Sequence, residues 1–230
     1  MPLSEPLLEK GTSEAAMAVF QRSVFLITFV NYGMAHFSRK CYTTVKTDLV
    51  ASGVDVSILS SMDTAFMLSY ALGTFVSGRL GDMFPQNAIL GLGLFGSTVC
   101  LGAIQWLEYI DIMASNHGLG AALFVTVQLI HGAFQSTGVP VNTSVMGNWF
   151  PKKGRGLIFG LWTCHQFIGD IIAALATATI VHAGMPWQWA LLLPGILSAV
   201  VGVINFTSLK TSPADAGLVT EPAAESKAGG

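Results

Sequence analysis

Four groups of polar residues interrupt otherwise apolar stretches of this 230-residue chain. Tyr32, His36 and Arg39 are spaced four and then three apart, which places them on one helix face, and Lys40 follows directly. Asp63, Tyr70 and Thr74 share a second face by the same spacing, and His131, Gln135 and Asn142 a third. Gln166 and Asp170 lie four apart on a fourth, with His165 beside them. The guanidinium of Arg39 has the planar fork that suits phosphate oxygens, and Lys40 would add a point charge. Asp63 could couple to a proton or pair with Arg39, and the deeper Asp170 invites the same question. His131 and His165 could bond a phosphate or move protons. A charged side chain at a bilayer centre costs at least about 2.5–3.5 kcal/mol on insertion scales, so one that persists faces a wet cavity, a partner or the interface. The plainer readings stand beside these. Arg39 and Lys40 could snorkel to headgroups, Asp63 could sit at an interfacial helix start, and the histidines could join helices.

The elements that must carry these residues are membrane-spanning helices. The sequence is 52% hydrophobic and only 10% charged, with a mean hydropathy of +0.60. Soluble domains carry about 25% charge. No charged residue occurs between Asn87 and Leu107, nor between Pro186 and Phe206, and each run is long enough to cross a hydrocarbon core of about 30 Å. Six spans are expected: Arg22 to Tyr42, Leu59 to Gly78, Asn87 to Leu107, Leu119 to Asn142, Leu157 to Val181, and Pro186 to Phe206. The third and sixth hold no charged residue or histidine in their central parts. The order polar, polar, plain therefore occurs twice, as a three-plus-three repeat would give if the third helix of each triplet stood away from a central cavity. Residues 1–21 read as a polar, acidic N-terminal segment with no cleavable signal, residues 22–209 as the six-span unit, and residues 210–230 as a flexible tail.

Lys10, Arg22, Arg79, Lys152, Lys153, Arg155, Lys210 and Lys227 fall on one side if the spans alternate, which places both termini in the cytosol. A net charge of −2 with no basic run leaves no footprint for nucleic acid. Cys41, Cys100 and Cys164 have no paired spacing, so neither a disulfide framework nor a zinc site follows, and they are expected to pack as small hydrophobes. No nucleophile triad, nucleotide loop or metal spacing appears, so neither an enzyme nor a cofactor is expected.

Several stretches carry a resemblance. Gly78-Arg79-Leu80-Gly81-Asp82 resembles the loop signature between the second and third helices of the major facilitator superfamily, where the acid of Asp82 would cap a helix or latch a basic group. The basic continuation of that signature is replaced here by Met83, Gln86 and Asn87. Ser38 to Tyr42, Asp63 to Ala71, Gln135 to Gly138, Gly147 to Phe150 and Arg155 to Trp162 are similar to the organophosphate:phosphate antiporter family. That family includes sugar-phosphate exchangers and glycerol-3-phosphate transporters. The resemblance implies an all-α, six-helix amino-terminal half, with phosphate and a phosphorylated small molecule as partners. It implies that Arg39, with Lys40 beside it, holds the phosphate group, that Tyr32 and Tyr70 line the site, and that His165 or Gln166 contributes from the fifth span. Thr74 stands where the bacterial pattern has a lysine, and Asp170 where the eukaryotic branch has asparagine, so a charged Asp170 would repel a nearby phosphate. The endoplasmic reticulum is the membrane the resemblance suggests. Pro213 to Leu218 resembles the start of the loop joining two six-helix halves. A homodimer, a separate second half or a full-length relative would then complete an exchanger. The alternative expectation is a truncated form that binds a full-length relative without transporting.

Overall fold

The computed structural model describes residues 5–218, and every regular element among them is helical. The elements are α1 (Glu5–Thr44), α2 (Lys46–Ala51), α3 (Val56–Met83), α4 (Gln86–Tyr109), α5 (Ile112–Ser115), α6 (His117–Gln135), α7 (Gly138–Trp149), α8 (Arg155–Trp162), α9 (His165–His182), α10 (Trp189–Ser208) and a 3-10 turn (Ala214–Ala216). α6 with α7 forms one broken rod, and α8 with α9 another, so the long elements number six. Five of the rods are long and apolar enough to cross a membrane. α3, at 28 residues, is long enough but too polar by that measure. Five of its hydroxyls are satisfied within the helix. Ser60, Ser61 and Thr64 bond the carbonyls four residues back, and Ser69 and Thr74 those three back. A helix that caps its own hydroxyls this way hides polarity from its neighbours.

The rods pair in a symmetric manner. α3 lies along α6, α1 along α9, and α4 along α10. Exchanging the first triplet (α1, α3, α4) for the second (α6–α7, α8–α9, α10) maps the first two pairings onto each other and the third onto itself. The packing therefore has the symmetry of a three-plus-three repeat. Glycines set the closest approaches, as small residues do where membrane helices pack without a hydrophobic drive. A Cβ on Gly91 would strike Phe206 across the α4–α10 seam, and one on Gly96 would strike Phe134 of α6. Short side-chain bonds join the rods at depth. Asn142 donates to Asn31 Oδ1 at 2.9 Å, Trp162 donates to Thr28 Oγ1 at 3.1 Å, and Ser77 and Ser136 hydroxyls meet at 2.9 Å. Each such bond contributes about 0.6 kcal/mol in a membrane protein.

Both breaks have local causes. Pro140 lacks the N–H that would bond the Ser136 carbonyl, and the rod resets at Ser136–Thr137. In the other, the Thr163 hydroxyl and the Cys164 thiol both bond the Gly160 carbonyl, and the Cys164 amide turns to Leu161 instead.

Four expectations change. Gly78 to Asp82 is not a loop but the last turn of α3, which runs to Met83 before the chain turns at Phe84–Pro85. Its glycines serve packing, Gly81 lying where a Cβ would come within 3.2 Å of Val141. Residues 210–218, read as tail, lie against the end of α7. Trp149 donates its indole N–H to the Lys210 carbonyl, Asn148 bonds the Thr211 carbonyl, and Leu209 and Leu218 join the cluster around Trp149. The remainder of the tail is outside the described residues. Helix α1 already begins at Glu5, within the segment read as an N-terminal extension. Cys41 and Cys100 are buried, whereas Cys164, at the break, is exposed.

Candidate anion-binding site

Arg39 is half-buried on α1 and faces α3. Its guanidinium carbon lies 5.0 Å from the Tyr70 ring centroid, 5.9 Å from Phe66 and 6.0 Å from Tyr32. Such rings offer a cation their negative faces, worth about 2 kcal/mol or more when desolvated. They do not satisfy its N–H groups. Nε and Nη2 of Arg39 are buried and have no hydrogen-bond partner. The Tyr32 and Tyr70 hydroxyls share one hydrogen bond of 2.8 Å, which consumes one of their two hydrogens and leaves the other free to donate. Gly138 of α7 makes this possible, since a Cβ there would stand 2.5 Å from the Tyr32 ring.

Beside Arg39 opens a cavity of about 310 Å³, lined also by Tyr42, Lys46, Asp63, Gln128 and His131. That is the lower end of the usual small-molecule range of about 300–1,000 Å³. The wall behind it is a closed polar chain. Gln135 donates its amide to Ser38 Oγ and to His131 Nε2, both at 2.9 Å, and His131 Nδ1 meets Gln128 Oε1 at 3.2 Å. These contacts fit a neutral imidazole that donates from Nδ1 and accepts at Nε2. His131, a candidate for moving protons, is thus engaged at both nitrogens by its own helix, and the Gln135–Ser38 bond carries the chain across to α1.

On the other side of Tyr32 lies an aromatic wall built by the second helix break. His165 opens α9 and is buried, with ring centroids 4.6 Å from Tyr32, 4.5 Å from Trp162 and 5.6 Å from His36. Neither of its nitrogens has a hydrogen-bond partner.

The structure therefore brings Arg39, Tyr32, Tyr70 and His165 together and separates others from them. The fifth-span register favours His165, because Gln166 is exposed on the surface of the helical unit. Lys40 is exposed as well and is not among the residues that line the cavity beside Arg39. Asp63 forms an ion pair with Lys46 rather than with Arg39. Asp170 is half-buried next to Gly169, which packs on the backbone of Gly33 and Phe37 in α1. Asp82 is exposed in the last turn of α3 and has no ion pair among the described residues. Thr74 bonds the Ala71 carbonyl. Sequence reasoning passed over Lys46, Phe66, Trp162 and Gln128. The first could have been found: Tyr42 and Lys46 are four residues apart, and Lys46 Nζ stands 5.2 Å from the Tyr42 centroid.

Comparison with known proteins points one way. Residues 24–227 match the Major Facilitator Superfamily. The chain is 35% identical over 226 residues to "Putative glycerol-3-phosphate transporter 5" of Arabidopsis thaliana, covering 90% of this chain and 44% of that protein. It is 30% identical over 225 residues to "Sugar phosphate exchanger 3" of Homo sapiens, covering 85% and 43%. The chain thus spans less than half the length of these relatives. A bacterial homologue of the human lysosomal transporter Spinster, in an inward-facing and unoccupied conformation, superposes with a TM-score of 0.58 at 15% identity, covering 90% of this chain and 46% of that one. That similarity shows a shared fold. With six rods, paired triplets and a sequence match over most of its length, the chain belongs to the Major Facilitator Superfamily and is an integral, multi-pass membrane protein.

Proposed function

We propose that this chain is the anion-binding six-helix unit of a membrane exchanger that carries a phosphorylated small molecule, a sugar phosphate or glycerol 3-phosphate, against inorganic phosphate. The observation that carries this reading is the guanidinium of Arg39, buried on two nitrogens without a partner at the edge of a cavity of about 310 Å³. A buried, unbonded charge is costly, and an anion with several acceptor oxygens removes that cost. The names of the relatives support the substrate class. In this reading Arg39 grips the phosphate, the free hydroxyl hydrogen of the Tyr32–Tyr70 pair donates to it, and His165 supplies a further contact once ligand is present. Lys40, Gln166 and Asp170 lie outside the ring box, and they reach substrate only from a face shared with a second six-helix unit. Asp82 acts as a latch at the turn into α4. Both termini face the cytosol, and the membrane is that of the endoplasmic reticulum.

Alternating access rocks one bundle against another around a shared site. The second bundle would come from a longer chain, a second copy of this one, or a full-length relative. Protein reconstituted into phosphate-loaded liposomes should exchange labelled phosphate and lose that exchange with Arg39→Ala. Exchange that is absent, or indifferent to Arg39, would overturn the carrier reading. Stable co-purification with a relative in that case would favour a binding role without transport.

A further inference from the structure

Lys46 and Asp63 lie on the wall of the same cavity as Arg39. Lys46 is the first residue of α2 and Asp63 sits in the second turn of α3, so two elements besides α1 converge there. The two side chains form an ion pair, and the Lys46 ammonium also stands 5.2 Å from the Tyr42 ring centroid. The pair is not symmetric. The Asp63 side chain is 45% exposed and that of Lys46 27%. The carboxylate can therefore turn outward into water at little cost, while the ammonium stays over the Tyr42 ring inside the cavity. Charge makes the same point. A phosphate monoester carries about −1.5 to −2 near neutral pH. Arg39 alone leaves most of the second charge uncompensated, and an intact Asp63 carboxylate repels it.

We propose that Lys46 is a second anion-binding cation of the Arg39 cavity, held by Asp63 while the cavity is empty and released to the ligand when a phosphate or phosphate monoester enters. Asp63 is then an internal stand-in for the anion. Two cations, one of them masked, favour doubly charged ligands over singly charged ones of similar shape. This assignment rests on the anion-binding reading of Arg39.

The test is equilibrium binding of labelled inorganic phosphate to the purified full chain in detergent, with thermal unfolding run on each variant. Lys46→Gln should weaken binding and Asp63→Asn should strengthen it, each roughly two- to fivefold, as expected for a partly exposed charge pair. Opposite signs are the signature, because a pair with a purely structural role would shift both variants in the same direction. Lys46→Arg, which keeps the charge, should retain affinity and covers the case in which Asp63→Asn fails to fold. Unchanged or tighter binding by Lys46→Gln, with binding still lost in Arg39→Gln, would overturn the role of Lys46 and leave the Arg39 site standing. No Arg39-dependent binding at all would overturn both.

Discussion

Two arginines in this chain are held in opposite ways. Arg155, at the start of α8, spends its guanidinium on backbone. Nε donates to the Phe150 carbonyl at 3.0 Å, and Nη2 donates to Gly147 at 2.9 Å and to Phe150 at 2.5 Å. These are carbonyls at the end of α7, which have no helical partners of their own and attract a cation. Arg39 is ringed by Tyr32, Phe66 and Tyr70 and has two buried nitrogens with nothing to bond. A satisfied arginine closes a structural gap. An unsatisfied one leaves a gap that only something from outside can fill, and the cavity beside Arg39 is where it would enter.

The sharpest way to break that comparison is to remove each charge in turn and read binding and stability separately. Arg39→Gln should cost phosphate binding about 2–5 kcal/mol, the range for truncating a buried, hydrogen-bonded charge contact. Its thermal unfolding midpoint should stay level or rise, since a buried cation without a partner destabilises the empty protein. Arg155→Ala should do the reverse. It loses bonds to two carbonyls and should destabilise by about 1.5–3 kcal/mol, the range for a hydrogen bond to a charged group. Phosphate affinity of the protein that remains folded should not change. If Arg155→Ala weakened binding without lowering the unfolding midpoint, the division between the two arginines would fail.

A subtler variant asks whether the ring box matters as geometry. Gly138→Ala places a methyl against the Tyr32 ring and must displace it from Tyr70. A misplacement of about 1 Å can cost as much as 10²-fold in a preorganised site, and loss of phosphate affinity of about tenfold is expected here. Isothermal titration on the detergent-solubilised protein would read it. An unaltered affinity would mean that the tyrosine pair is packing alone.

How much of this was legible beforehand depends on which interactions are local. The six rods were readable because hydrocarbon selects long apolar runs, and the polar, polar, plain order pointed to a three-plus-three repeat, though not to the pairing of α4 with α10. That Tyr32 and Arg39 share a face was readable from helical spacing, and an intramembrane arginine demands an explanation; Tyr70 came beside them only through the family resemblance. The fifth-span register was not, because the turn at Thr163–Cys164 depends on which side chain captures the Gly160 carbonyl. Periodicity carries through such a break unmarked. Nor was the Lys46–Asp63 pair, in which a lysine outside the expected spans, at the start of α2, reaches a carboxylate seventeen positions on in α3. The motif Gly78 to Asp82 misled for a related reason. Its glycines suit a tight turn and a close helix contact equally, and only the position of Val141 separates the two.

Asp170 gives the smallest and most discriminating effect. Its carboxylate is half-buried on α9, one residue beyond the glycine that lets α9 touch α1. On α9 it lies five residues, a little over one turn, from His165. If an anion binds between Arg39 and His165, a charge at Asp170 opposes it through a medium that is partly solvated, so screening limits the opposition to about 1 kcal/mol or less. Asp170→Asn should therefore tighten phosphate binding by a few-fold at low salt, and the gain should shrink as ionic strength rises. Removing a charge near a filled site and removing one that supports the fold predict different signs. Tighter, salt-dependent binding at an unchanged unfolding midpoint would place the anion on the His165 side of Tyr32 as well as beside Arg39. Weaker binding would mean that Asp170 orders the α1–α9 contact, and the anion would then be confined to the cavity that Arg39 shares with Lys46.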